Sequence, residues 1–154
     1  MKNVLLVTSP VADAPNAVAY ALRRAKETGG KLVALTVLDP ARAQRVGKTL
    51  DTVGLVGARV SDSVVDALAR EQRAHAETLL NQIAEHAKRE GVAFTALIEA
   101  GDPSDICRHI IETHDVQCAV LVAEKRSWLT RLLSRAAAVR LPAGPGCEVK
   151  VMED

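Results

Sequence analysis

The 154-residue chain carries a formal net charge of +1, so no global basic field marks it as a dedicated nucleic-acid binder. No stretch approaches the roughly 18 consecutive apolar residues that a membrane-spanning helix needs. Apolar residues make up 48% of the chain, yet it has one Phe, one Tyr and one Trp. Its core must therefore be built of Val, Leu, Ile and Ala, as in a parallel sheet covered by helices.

Residues 1–154 read most simply as one domain, large enough to bury roughly 68–70% of its unfolded surface. The segment Asn3 to Val7 (NVLLV) is a short apolar run bounded by Thr8-Ser9-Pro10, the pattern of a buried strand. Asp13 is placed to cap a helix whose first turn holds Pro15, where a missing N–H costs nothing. Ala14, Val18, Ala21, Leu22 and Ala25 recur at helical spacing, and Gly29-Gly30 stops the helix. A second strand, Lys31 to Leu38, ends at Asp39-Pro40.

Residues 41–60 read as an irregular insertion, since the two glycines of VGLVG (53–57) break any periodic pattern. It is too apolar for comfortable disorder, which leaves packing over the sheet edge, a flap or a partner contact. Ser61 or Asp62 is then positioned to cap a long helix. Its predicted inner face is Val65, Leu68, Ala69, Gln72, Ala76, Leu79, Leu80, Ile83, Ala84 and Ala87, and Gly91 ends it. His75 and His86 lie three turns apart, too far to share a metal ion, and read as borders of the buried stripe.

Val92 to Ile98 is the third predicted strand. Asp102 as cap and Pro103 as first helical residue start a short helix with Ile106, Ile110 and Ile111 inside. Gln117 to Ala123 is the fourth strand, and Cys147 to Met152 a fifth whose alternation suggests an exposed face or edge. Cys107, Cys118 and Cys147 include no CxxC pair and read as buried reduced thiols. The first residues lack the pattern of a signal peptide, so the expected location is cytoplasmic.

Strands alternating with helices mean βαβ units, a mainly parallel sheet and right-handed crossovers: an α/β fold with helices on both faces. Ligands of such sheets sit beyond the carboxyl ends of the strands, where the strand order reverses. The lips of that crevice are Thr8, Ser9 and Pro10, then Val37 to Asp39, then Ala123 to Arg126.

In this order the segments VLLV, TVLDP, EAGDPSDIC, VLVAEKRSWLTRLLSRAAAVRL and CEVKV resemble the universal stress protein family over nearly the whole chain. The resemblance implies a three-layer, five-stranded sheet in order 3-2-1-4-5, of the adenine nucleotide alpha hydrolase-like type. It also implies homodimers that commonly pair through the last strand, here Cys147 to Met152. ATP-binding members carry an acidic residue at the end of strand one, where this chain has Thr8. They then carry Gly-x2-Gly-x9-Gly-Ser/Thr after strand four, whereas no glycine occurs here from Ala123 to Leu141. Glycines in such a loop bring backbone N–H groups to the phosphates at positive φ. Side chains held there cost roughly 1–2 kcal/mol each and fill the space the phosphate needs. No cofactor is therefore expected, and ATP or AMP is disfavoured.

Between Lys125 and Gly146 stand Lys125, Arg126, Arg131, Arg135 and Arg140, with no acidic residue. One reading is an anion site rebuilt from side chains, with Arg131 and Arg135 at i,i+4 on one helical face. The other is a solvated face opposite the stripe Trp128, Leu129, Leu132, Leu133 and Ala136; a membrane-surface helix is a weaker third. Ser9, Ser61 and Ser104 lack the glycines of a nucleophile elbow, and no HExxH, P-loop or GxGxxG occurs. Asp39 and Asp102 are better explained as turn and cap residues than as a catalytic pair. The expectation is a non-catalytic stress-response or regulatory dimer with a degenerate nucleotide site and a protein partner. A phosphate-ligand binder using arginines is the alternative, and a phosphate-ester hydrolase a weaker one.

Overall fold

The computed structural model describes residues 3–8, 14–38, 58–123 and 147–153. Its elements are β1 (Asn3–Thr8), α1 (Pro15–Thr28), β2 (Leu32–Leu38), α2 (Ala58–Arg89), β3 (Phe94–Ala100), α3 (Pro103–Thr113), β4 (Val116–Ala123) and β5 (Glu148–Glu153). The strands form one five-stranded sheet in the order β3-β2-β1-β4-β5. Every neighbouring pair is parallel. The order reverses between β1 and β4, as expected.

Period-two alternation sorts the strands into two cores. Val4, Leu6, Leu32, Ala34, Cys118, Val120 and Val122 meet α1 and the end of α2 on one face. Leu5, Val7, Val33, Leu35, Val37, Ala119 and Leu121 meet Cys107, Ile110 and Ile111 of α3 on the other. Burial on both faces explains why β1 and β2 read as continuous apolar runs.

The helix ends follow local chemistry. Gly29 takes left-handed φ at the end of α1 and donates back to the Lys26 carbonyl. Gly91, at φ +70°, ends α2 in a double closing turn: Gly91 N–H donates to Lys88 O and Val92 N–H to Ala87 O at 2.9 Å. Asp102 caps α3, its carboxylate accepting from Asp105 N–H at 3.1 Å, with Pro103 next. At the amino edge of the sheet Asn3 ties three segments together. Its amide donates to His114 O and accepts from Lys31 N–H, while its own N–H donates to Asp115 O.

Several boundaries differ from expectation. The cap position of α1 falls on Ala14, which makes no side-chain cap bond, rather than on Asp13. Helix α2 begins at Ala58, so Ser61 and Asp62 lie inside it, as do residues 58–60 of the expected insertion. Residues 41–57 themselves lie outside the described residues. Strand β3 starts at Phe94 rather than Val92, because Val92 is still closing the helix. The inner face of α2 is real only near its end: Ala76, Leu80, Ile83 and Ala87 are buried, whereas Ala69 is exposed and Leu68 and Gln72 are half-buried. A 32-residue helix spans about 48 Å, and the seven residues of β3 only about 23 Å. His75 is exposed, with Glu71 3.5 Å away, and does not border the buried stripe.

Candidate functional site

The carboxyl ends of β1, β2 and β4 converge as the sheet topology requires. Thr8 stands opposite Thr36, and Val7 opposite Leu121, so Val37 and Ala123 follow within two residues of Thr8 along the neighbouring strands. Three expected site residues, Thr8, Val37 and Ala123, are thereby brought to one edge. They do not share a face: Thr8 and Thr36 lie on the side of α1 and α2, while Val37 belongs to the α3 core. Ser9, Pro10, Asp39, Lys125, Arg126, Arg131 and Arg135 lie outside the described residues.

Thr8 is 1% exposed and Thr36 fully buried, and their hydroxyls are 3.1 Å apart. One donates to the other across the β1–β2 ladder, which offsets part of the cost of burying two hydroxyls in an apolar layer. A carboxylate at position 8 would bring a charge into this layer, whereas the hydroxyl pair is neutral. Thr36 was not singled out from the sequence. The signal was a threonine inside LVALTVL, one per buried strand, which only the register joins to Thr8.

The other features are spread around the sheet. Arg24 on α1 donates to Glu27 at 3.1 Å and to Glu148 of β5 at 2.9 Å. Its pKa is raised by the Cys118 thiol, then by Glu27, while its buried Nε has no hydrogen-bond partner. The half-buried Tyr20 ring lies 5.3 Å from the Arg23 guanidinium and 5.1 Å from the Lys150 ammonium. The contacts to Glu148 and Lys150 join α1 to β5.

A groove of about 250 Å³ separates α1 from the last turns of α2, lined by Ala19, Leu22, Arg23, Lys26, His86 and Glu90. Lys26 pairs with Glu90 across it. The Lys26 ammonium, then His86 and Arg89, holds the Glu90 carboxyl below its usual value. With Arg23 over Tyr20 and Lys26 engaged, its cations already have partners.

The thiols are reduced. Cys107 and Cys118 are buried and Cys147 half-buried. Burial, with the Asp102 charge, pushes the Cys107 thiol up to about 12. Burial likewise raises Cys118 and Cys147. At Cys118 burial outweighs the opposing pull of the Arg24 guanidinium and the Lys150 ammonium, so none of the three is a reactive thiolate. Among the described residues no three His, Cys, Asp or Glu side chains are placed to hold a metal, and no helix is long and apolar enough to cross a membrane.

A parallel sheet ordered 3-2-1-4-5, its strand order reversing between β1 and β4, defines a doubly wound α/β protein. The universal stress protein family profile matches residues 1–141, and the chain belongs to that family. No curated protein sequence matches it significantly. Among solved structures, the universal stress protein UspA from Lactobacillus plantarum is similar at 19% identity and a TM-score of 0.66, covering 99% of this chain and 96% of its own. A universal stress protein from Archaeoglobus fulgidus in complex with dAMP is similar at 18% identity and 0.59, covering 98% and 96%. One from Arabidopsis thaliana with AMP bound is similar at 17% identity and 0.55, covering 99% and 92%. At these identities the likeness speaks to the fold alone.

Proposed function

We propose that this chain is a non-catalytic, cytoplasmic stress-response or regulatory member of its family, acting as a homodimer through protein contacts. In this reading its nucleotide site is degenerate. The observation that carries it is the end of β1, where the Thr8 hydroxyl is buried and satisfied by Thr36 and presents no carboxylate to a ligand. The glycine-free sequence from Ala123 to Leu141 supports it, because backbone N–H groups there lack the freedom to cradle phosphates. The dimer is assigned to β5, an edge strand whose Val151 is 47% exposed beside the half-buried Val149.

Native mass spectrometry of gently purified protein, with and without added ATP and AMP, tests this reading. A nucleotide-free protein, dimeric or a multiple of the dimer, that ignores both nucleotides is expected. A stoichiometric bound adenine nucleotide would overturn the degenerate site, and a monomer would overturn the dimer.

A second reading rests on the dAMP and AMP held by structural relatives, and on the basic sequence after β4. Arg126, Arg131 and Arg135 would then hold a phosphate by charge-assisted hydrogen bonds, each contributing roughly 1.5–3 kcal/mol. Under this reading the protein binds AMP and loses it in Arg131→Ala/Arg135→Ala, with its melting temperature unchanged. Unaltered binding in that double variant rules the arginines out. Turnover of ATP that survives rigorous purification would instead favour a phosphate-ester hydrolase.

A further inference from the structure

The sheet has two edges, and the one formed by β3 is unlike an edge protected against association. Its sequence, FTALIEA, has one charge, no Lys and no Pro. Thr95, Leu97 and Ile98 are half-exposed and Ala96 and Glu99 exposed, and among the described residues nothing pairs with its outer side. Protected edges carry charges, bulges or proline; this one has none along its middle.

The hydrogen-bonding parity of the strand follows from its neighbour. Leu32 N–H donates to Ala93 O at 2.8 Å, so the backbone groups of Ala93, Thr95, Leu97 and Glu99 face β2. Those of Phe94, Ala96, Ile98 and Ala100 face outward. We propose that β3 is a second self-association edge, pairing antiparallel with β3 of another copy of this chain about a two-fold axis at Leu97.

That register satisfies the antiparallel rules throughout. Ala96 meets Ile98 and Phe94 meets Ala100 as hydrogen-bonded pairs, both members facing outward. Leu97 meets Leu97 and Thr95 meets Glu99 as non-hydrogen-bonded pairs. All seven residues are used, and no like charges stand opposite each other. The helices also fit. Helix α2 contacts both β3 and β2, so its axis runs above the gap between them. Across the two-fold axis the two α2 helices would be two strand spacings apart, about 10 Å, the usual distance between packed helices. His86 and Glu90 mark the side of α2 that faces α1. Helical geometry puts Arg73, Glu77, Ala84 and Lys88 on the opposite side, toward the edge. That flank mixes charge sign, with Arg73 already near Glu77, and carries no single-sign block that would repel its copy.

This edge is independent of the β5 dimer. With both edges active, two different two-fold contacts alternate and sheets add end to end.

Sedimentation velocity of the full chain and three variants tests the proposal. Val151→Lys charges the β5 edge and should leave a dimer held through β3. Ala96→Pro removes one outward N–H without touching the β2 ladder, and should weaken the β3 contact at least about ten-fold. The double variant should be a monomer. A monomeric Val151→Lys chain overturns the β3 contact, as does a double variant that still dimerises. A monomeric Ala96→Pro chain overturns the β5 dimer instead, so the two failures are told apart. If Ala96→Pro does not fold, Ala96→Lys takes its place. As a positive readout, Leu97→Cys in a Cys147→Ser background should form a disulfide-linked dimer under mild copper–phenanthroline oxidation. Cα atoms of a non-hydrogen-bonded antiparallel pair are about 4.5 Å apart, within disulfide range. Absence of that cross-link when a dimer is present overturns the register.

Discussion

Strands β2 and β3 are neighbours in the sheet and equal in length, yet one is buried at every residue and the other at none. Both are apolar and both pack against α2. What differs is the second neighbour: among the described residues β2 has a strand on each side, while β3 pairs with β2 alone. Burial here is a property of place in the topology rather than of composition. The central strands hold the fold together, and the edges are where its surface is free to act.

The sharpest break of that contrast is Leu35→Ala in β2, set against Val151→Ala on the β5 edge. Leu35 is wholly buried among Val7, Val33, Val37 and α3, so its truncation leaves a cavity and should cost about 2–5 kcal/mol. The exposed Val151 should cost the folded protomer roughly 0.5 kcal/mol or less, measured apart from any change in dimer affinity. Urea denaturation reads both, and equal losses would refute the distinction between centre and edge.

Alkaline pH probes the same interior through Cys107. Its thiol ionises near 9 when unfolded and near 12 when folded, so between those values the folded state binds more protons. Stability from this group is complete below pH 9 and falls as pH rises, by about 1.4 kcal/mol per unit, until the folded thiol ionises. Cys107→Ala should flatten that slope in melts between pH 9 and 11. An unchanged slope would mean the thiol is reached by solvent.

The Thr8–Thr36 pair sharpens the comparison at the site itself. Thr36→Val strands a buried hydroxyl and should cost about 1–3 kcal/mol, whereas Thr8→Val/Thr36→Val should recover most of that loss. Thermal melts of the two single variants and the double one close the cycle. Additive losses would mean that the two hydroxyls do not depend on each other.

What the sequence revealed follows the same division. The central strands, Gly29 and Gly91 as helix stops, and Asp102-Pro103 as a helix start were all legible, because each depends on residues within a few positions. Helix α2 was misjudged at its beginning for the opposite reason. Its periodicity is genuine through Leu68 and Gln72, but nothing in a periodic pattern states that the sheet ends before the helix does. The Thr8–Thr36 contact was invisible too, since 28 residues separate the partners and only the parallel register aligns them. The arginines after β4 were legible as a cluster of charge, which names a chemistry without placing it.

The smallest predicted effect lies at the turn into β4, where local and tertiary demands conflict. Asp115 sits at φ +50° so that its carbonyl can accept from Asn3 N–H at 3.0 Å, while its side chain stays exposed. Left-handed backbone costs a non-glycine residue roughly 1–2 kcal/mol, less for Asp, and glycine escapes it at the expense of roughly 0.5–1 kcal/mol of chain entropy. Asp115→Gly should therefore be neutral or stabilising by about 0.5 kcal/mol, and Asp115→Ala destabilising by about 1 kcal/mol. The carbonyl of residue 115 is retained in both, so the bond to Asn3 does not distinguish them. If alanine proved as stable as glycine, the turn would have to relax out of positive φ. The Asn3 N–H would then lose its acceptor, leaving the Asn3 side chain alone, through His114 O and Lys31 N–H, to hold the first residue of β1.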